Sequence, residues 1–106
     1  MLKFHSLKVA SVERVAQDAV CLTLQIPQAL REDFKFDAGQ YVTVRRVIGG
    51  KEERRTYSIV TAPIAWEAPG DAALRIGVRE QAGGRMSHEI ANVLRPGDRL
   101  EVGTPN

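Results

Sequence analysis

Between residues 20 and 26 the chain alternates strictly, Val20, Leu22, Leu24 and Ile26 against Cys21, Thr23 and Gln25. A period of two places the first set on one face of a half-buried strand. Mixed but strand-like residues precede it at 7–15. Pro27 ends the run, and the polar segment 28–37 has room for a single helical turn around Ala29 and Leu30 before Ala38-Gly39 redirects the chain. Alternation resumes over 40–48, with Val42, Val44 and Ile48 on one face and Tyr41, Thr43, Arg45 and Val47 on the other. Gly49-Gly50 supplies the positive backbone angles of a tight hairpin, and a return strand is expected at 53–60. Residues 61–71, broken by Pro63, Pro69 and Gly70, read as a loop, and 73–80 as a fifth strand with Leu74, Ile76 and Val78 inward.

The spacing changes after Gln81-Ala82-Gly83-Gly84. Met86, Ile90, Val93 and Leu94 recur at helical intervals, and Arg95-Pro96-Gly97 ends the run. Glu89 lies early in it, where a negative charge suits the helix dipole. A last strand at 98–102 leads into Gly103-Thr104-Pro105-Asn106, which has turn chemistry and is expected to introduce a further element. Six strands with hairpin-type spacing must close or stack to protect their edges. The expected fold is all-β: a six-stranded antiparallel Greek-key barrel with one helix before the last strand.

Composition narrows the function classes. With 106 residues, 43% of them hydrophobic and 26% charged, the chain suits one globular domain with its own core. It has neither an apolar run of membrane-span length nor a signal-peptide core, so the expected compartment is the cytoplasm. The single cysteine, Cys21, cannot form an internal disulfide or hold an iron-sulfur cluster, so no metal site is expected and any redox chemistry must come from an organic cofactor. A net charge of +2 and 6% aromatic residues give little support for nucleic-acid binding.

Two stretches carry candidate chemistry. At Gly83-Gly84-Arg85-Met86-Ser87 glycines lead straight into the helix, whose first amides have no intrahelical partner and can bind an anion; Arg85 adds a charge and the Ser87 hydroxyl a donor. A plain loop-to-helix junction capped by serine has the same sequence. At Arg55-Thr56-Tyr57-Ser58, Arg55 and Tyr57 share one face of their strand. Arginine pairs with phosphate through two parallel bonds and tyrosine stacks on flat ligands, so together they suit an aromatic ligand that bears phosphate. The same pair also fits a barrel exterior with a solvated arginine. A regular pleat then aims Thr56 and Ser58 at the core, and Ser58 reaches the ligand only through its backbone N–H or a break in the pleat.

Taken together, Gly39-Gln40-Tyr41-Val42, Arg55-Thr56-Tyr57-Ser58 and Gly84-Arg85-Met86-Ser87 resemble, in order and spacing, the FAD-binding domain of the ferredoxin-NADP reductase superfamily. The likeness runs over essentially the whole chain. It implies FAD on the outside of the barrel, with FMN as the variant cofactor. By position, Arg55 pairs with the pyrophosphate, Tyr57 stacks on the isoalloxazine or ribityl chain, and Ser58 bonds near flavin N5 as the one residue beside the reacting atom. Gly84, Arg85, Met86 and Ser87 hold the pyrophosphate at the helix start, and the backbone of Gly77, Val78 and Arg79 passes the flavin ring. Phe4-His5-Ser6-Leu7 and residues 27–40 look most like reductases of the phenylacetyl-CoA epoxidase type, with other aromatic-compound oxygenase reductases close behind.

Such reductases take a hydride from NADH or NADPH onto the flavin and release electrons singly to an iron-sulfur acceptor. The resemblance thus implies partners, a nicotinamide-binding domain and an iron-sulfur acceptor, on other sequence. The 106 residues alone are expected not to turn over. The alternative is a cofactor-free barrel module for RNA or protein, supported by the basic cluster Arg45, Arg46, Arg54 and Arg55. His5 and His88 read as surface residues, Cys21 as a small filler, Glu32-Asp33 and Glu52-Glu53 as solvated turn charges, and Trp66 as loop packing or a cover for adenine.

Overall fold

The computed structural model describes residues 2–61 and 70–106, so most of the expected loop at 61–71, Trp66 included, lies outside the described residues. Six strands and one helix are present: β1 (Phe4–Ala16), β2 (Ala19–Ile26), β3 (Tyr41–Ile48), β4 (Lys51–Ser58), β5 (Ala72–Arg79), α1 (Arg85–Asn92) and β6 (Arg99–Gly103). A short 3-10 turn, Gln28–Leu30, follows Pro27. Every ladder is antiparallel, and the strand order β4-β3-β6-β1-β2-β5 is of Greek-key type. β1 serves two neighbours by bending. Phe4 to Lys8 pair with β6, and from Lys8 to Ala16, across a register shift between Val9 and Ser11, the strand pairs with β2.

Among the described residues the barrel does not close. β4 and β5 are the two edges of the sheet and meet at one bridge, Ile59 to Ile76, where the Val60 N–H donates to the Arg75 carbonyl at 2.8 Å. Beyond that bridge no further pairing joins them among the described residues, and the start of α1 is tied to the β3–β4 turn by Arg85, which donates to the Ile48 carbonyl. The inward residues of the strands, among them Leu22, Leu24, Val42, Val44, Leu74 and Ile76, form one cluster with Met86, Ile90 and Leu94 of the helical segment.

Three expectations need correction. The segment 28–37 is not purely polar in its packing: Phe34 is fully buried, with the His5 ring edge-on at 5.5 Å, so His5 is no simple surface residue. Val93 is exposed rather than inward. The helix ends at Asn92, and the Val93 and Leu94 N–H groups both close on the Glu89 carbonyl, at 2.9 and 3.0 Å, in a wide turn that returns only Leu94 to the core. Finally, Gly103 belongs to β6, and Asn106 exchanges backbone hydrogen bonds with Tyr41 at 2.9 and 3.2 Å, so the last residues run on as extended chain instead of turning.

Candidate functional site

Register decides which way the β4 side chains face. Arg55 lies opposite Val44 and Tyr57 opposite Val42, both valines fully buried, and directly opposed residues in a ladder point to the same side. Arg55 and Tyr57 therefore share the core-side face, while Thr56 and Ser58 are exposed on the outer one. This reverses the expectation that Ser58 aims inward. β4 contains no apolar alternation of its own, so only its partner strand could set its faces.

The strand is regular through Ser58, which pairs with Tyr41. The Ile59 N–H donates to the Gln40 carbonyl at 3.1 Å, and the next amide, Val60, turns the other way to Arg75. Amides alternate along a strand, so those of Thr56 and Ser58 point away from β3, along the open edge. The pleat is unbroken, and backbone contact is the route that the geometry leaves to Ser58 for a ligand lying there.

Where β4 and β5 diverge, a cleft of about 150 Å³ is lined by Arg55, Thr56, Tyr57, Arg79, Gln81, Gly84, Met86 and Ser87. The two stretches singled out in sequence thus form opposite walls of one groove. An adjoining cavity of about 720 Å³ shares Gln81 and Gly84 with it and extends past Arg85, His88 and Glu89 to Asp18. Gly77 faces outward on β5 beside Val60, and Val78 is buried, so neither side chain position lines the cleft.

At the helix start, N-cap Gly84 offers no side-chain cap, which leaves the first amides of α1 without a side-chain acceptor, and Gly84, Met86 and Ser87 line the cleft. A Cβ at Gly84 would stand 2.8 Å from Ser87 Oγ and 3.1 Å from the Gln81 carbonyl oxygen, so glycine is required by close approach. The Ser87 hydroxyl is engaged inside the protein. It donates to the Gly84 carbonyl and accepts from the Gln81 N–H, both at 3.1 Å, and so it cannot be the extra donor expected of it. Its single hydrogen is already placed; the Ser87 backbone amide is what remains for an anion. Arg85 is drawn away too, donating to the Ile48 carbonyl at the hairpin.

The guanidinium groups in the cleft are Arg55 and Arg79. Arg55 donates from Nη1 to the Arg54 carbonyl at 2.6 Å and from Nη2 to Glu53 Oε1 at 3.2 Å. Burial raises the Tyr57 phenol above its ordinary value, and the nearby Arg55 charge offsets part of that rise, so the hydroxyl stays protonated and able to donate at neutral pH.

The four arginines of the hairpin do not form one basic patch. Arg45 and Arg54 lie over the Phe4 ring on the outer face, at 4.0 and 5.1 Å, and pair with Glu101 and Glu52. Arg46 and Arg55 lie on the other face and pair with Glu89 and Glu53, both at 3.2 Å. Each guanidinium has a carboxylate, and the split between two faces removes the support for one continuous RNA-binding surface. Glu53, little exposed, is no solvated charge, whereas Glu52 stays at the surface.

Sequence reasoning missed Gln81, whose carbonyl accepts the Gly84 N–H at 2.9 Å while its own N–H holds Ser87. Its place immediately before Ala82-Gly83-Gly84 was the available signal. It also gave His88 no carboxylate partner, whereas His88 Nδ1 lies 3.2 Å from Glu80 Oε2, with Asn92 Nδ2 donating to the same oxygen at 2.7 Å. That triangle joins the end of β5 to the helix.

An open edge with backbone donors, a half-buried phenol, two arginines and an uncapped helix start fit a ligand that is flat at one end and phosphorylated at the other. The oxidoreductase FAD-binding domain family matches residues 6–106. The chain belongs to that family, of the ferredoxin-NADP reductase type, and FAD is its cofactor. It is 39% identical to a component of the 1,2-phenylacetyl-CoA epoxidase from Escherichia coli (strain K12) over 105 residues, covering 99% of this chain and 28% of that protein. Phthalate dioxygenase reductase, described as a modular structure for electron transfer from pyridine nucleotides to [2Fe-2S], matches with a TM-score of 0.73 and 29% identity over 97% of this chain and 30% of its own. A ferredoxin NADP+ reductase from Neisseria gonorrhoeae with bound FAD and NADP has the same fold, with a TM-score of 0.78 at 23% identity, over 98% of this chain and 38% of its own. The chain thus spans between about a quarter and two fifths of these relatives.

Proposed function

We propose that FAD lies along the open edge between β4 and β5, and that the domain is the flavin-binding part of a longer NAD(P)H-dependent reductase. That reductase passes electrons to an iron-sulfur acceptor serving an aromatic-compound oxygenase. The observation that carries the site is the convergence of Arg55, Tyr57, Gly84 and the first turn of α1 on one cleft. Arg55, with Arg79 behind it, pairs with the diphosphate, and the amides of Arg85, Met86 and Ser87 bind the same anion with the helix dipole. Gly84 lets the backbone come close. Tyr57 presents its ring and its protonated hydroxyl to the flavin and ribityl chain, while Thr56 and Ser58 offer backbone donors along the edge, Ser58 nearest the reacting ring. Gly77 and Val78 contribute backbone on the β5 side. Bound flavin supplies the redox chemistry, accepting two electrons together and releasing them singly; this chain binds, orients and shields it. The adjoining cavity of about 720 Å³ gives the adenosine half a place beyond the diphosphate, which favours FAD over FMN.

The wider reading rests on relatives. The phenylacetyl-CoA epoxidase component and phthalate dioxygenase reductase are both far longer than this chain, and the latter couples pyridine nucleotides to an iron-sulfur centre. The nicotinamide-binding domain and the iron-sulfur acceptor therefore lie outside these 106 residues. NAD(P)H as donor argues for a cytoplasmic reductase; among the described residues no helix is long and apolar enough to cross a membrane. Titrating the chain with FAD tests the site: flavin fluorescence should quench and the absorbance band shift, and the mass of extracted cofactor should be that of FAD. A chain that titrates with neither FAD nor FMN would sink the proposal, and steady NADH oxidation by the chain alone would contradict its partition of the electron path.

A further inference from the structure

Glu53 is the carboxylate that holds Arg55, and the two side chains differ sharply in exposure, 11% for Glu53 against 56% for Arg55. The glutamate is packed in place while the arginine stands at the mouth of the cleft. Glu53 faces Arg46 across the β3–β4 ladder, and Arg46 is tied at 3.2 Å to Glu89 of the same helix whose first turn supplies the amides. Arg55 meets two acceptors on its own strand, the Arg54 carbonyl and Glu53, and these fix the plane of its guanidinium. The guanidinium carries further N–H donors beyond these two bonds, and Arg55 lines the cleft.

From this geometry we infer that Glu53 is a positioning residue for the anion site: it orders Arg55 for the cofactor's diphosphate without touching the ligand. The inference rests on the FAD site proposed above. A long side chain that must be immobilised on binding forfeits roughly threefold to tenfold in affinity, and Glu53 removes that loss beforehand. Its negative charge opposes the diphosphate, but across an open, solvent-screened cleft that repulsion is the smaller effect.

The test compares FAD with riboflavin, which carries no phosphate, by fluorescence titration of the chain. Glu53→Gln should weaken FAD by about threefold to tenfold and leave riboflavin unchanged. In an Arg55→Ala background the same substitution should cost nothing further. Glu53→Asp, which keeps the charge but withdraws it by one methylene, should lose FAD affinity by a smaller factor, and it serves if the Gln variant does not fold. Unchanged or tighter FAD binding by Glu53→Gln, or an equal loss for riboflavin, overturns the inference. If Arg55→Ala weakens FAD while Glu53→Gln does not, only this inference fails; if the unaltered chain does not bind FAD, the site falls with it.

Discussion

The two faces of the β3–β4 hairpin carry the same chemistry to different ends. On the outer face Arg45 and Arg54 lie over Phe4 and pair with Glu101 and Glu52. On the inner face Arg46 and Arg55, each their immediate neighbour in sequence, pair with Glu89 and Glu53. Of the outer pairs, Arg45 to Glu101 joins β3 to β6 and Arg54 to Glu52 stays within β4, and both end there. The inner pairs reach the middle of α1 and an open cleft, so they bear on what the domain can hold. The contrast teaches that a basic run in sequence says little about a basic surface, because the pleat deals alternate residues to opposite sides.

The contrast can be broken most directly at Arg55. Arg55→Ala should weaken FAD binding by about 10- to 100-fold, the worth of a charge-assisted phosphate contact, while Arg45→Ala should stay within about twofold. Fluorescence titration measures both, and equal losses would erase the distinction between the faces. Next in size, Gly84→Ala forces a Cβ to within 2.8 Å of Ser87 Oγ and should destabilise the helix start by about 1–2 kcal/mol in urea unfolding, with a parallel loss of FAD affinity. Full FAD affinity in that variant would mean that the cofactor's anion does not lie at the start of α1.

Smaller effects sharpen the comparison. Arg46→Gln loosens the helix from β3 and should lower stability by about 1 kcal/mol, against about 0.5 kcal/mol for Arg45→Gln on the outer face. Reversal of that order in urea melts would place the structural anchor outside. The last prediction concerns Tyr57, whose folded phenol titrates above its ordinary value. At alkaline pH the unfolded chain loses this proton near pH 10 while the folded chain keeps it. The unfolded state then binds fewer protons, and stability falls as pH rises. Tyr57→Phe should flatten part of that fall, and an unchanged slope of melting temperature against pH would show that the phenol is not desolvated.

Much of the fold was legible because β2, β3 and β5 bury one face against the core and leave the other open, which writes a period of two into the sequence. The hairpin at Gly49-Gly50 was legible for a different reason: both glycines adopt positive φ, 60° and 79°, which other residues rarely do. The orientation of β4 was not legible, since residues 51–58 have one large apolar side chain among charges. The burial of Phe34 was missed because an aromatic residue in an irregular segment has no periodicity to declare its side.

By itself, then, the sequence determined the strands, the helix and the three motifs, and with them the family, because local period and turn chemistry act over a few residues. Only the tertiary structure decided that the sheet stays open between β4 and β5, that Arg55 and Tyr57 share the face of Val42 and Val44, and that Ser87 and Arg85 are occupied within the protein. These depend on register and on partners distant in sequence, Ile48 for Arg85 and Gly103 for Phe4 among them, and a register is a property of two strands together.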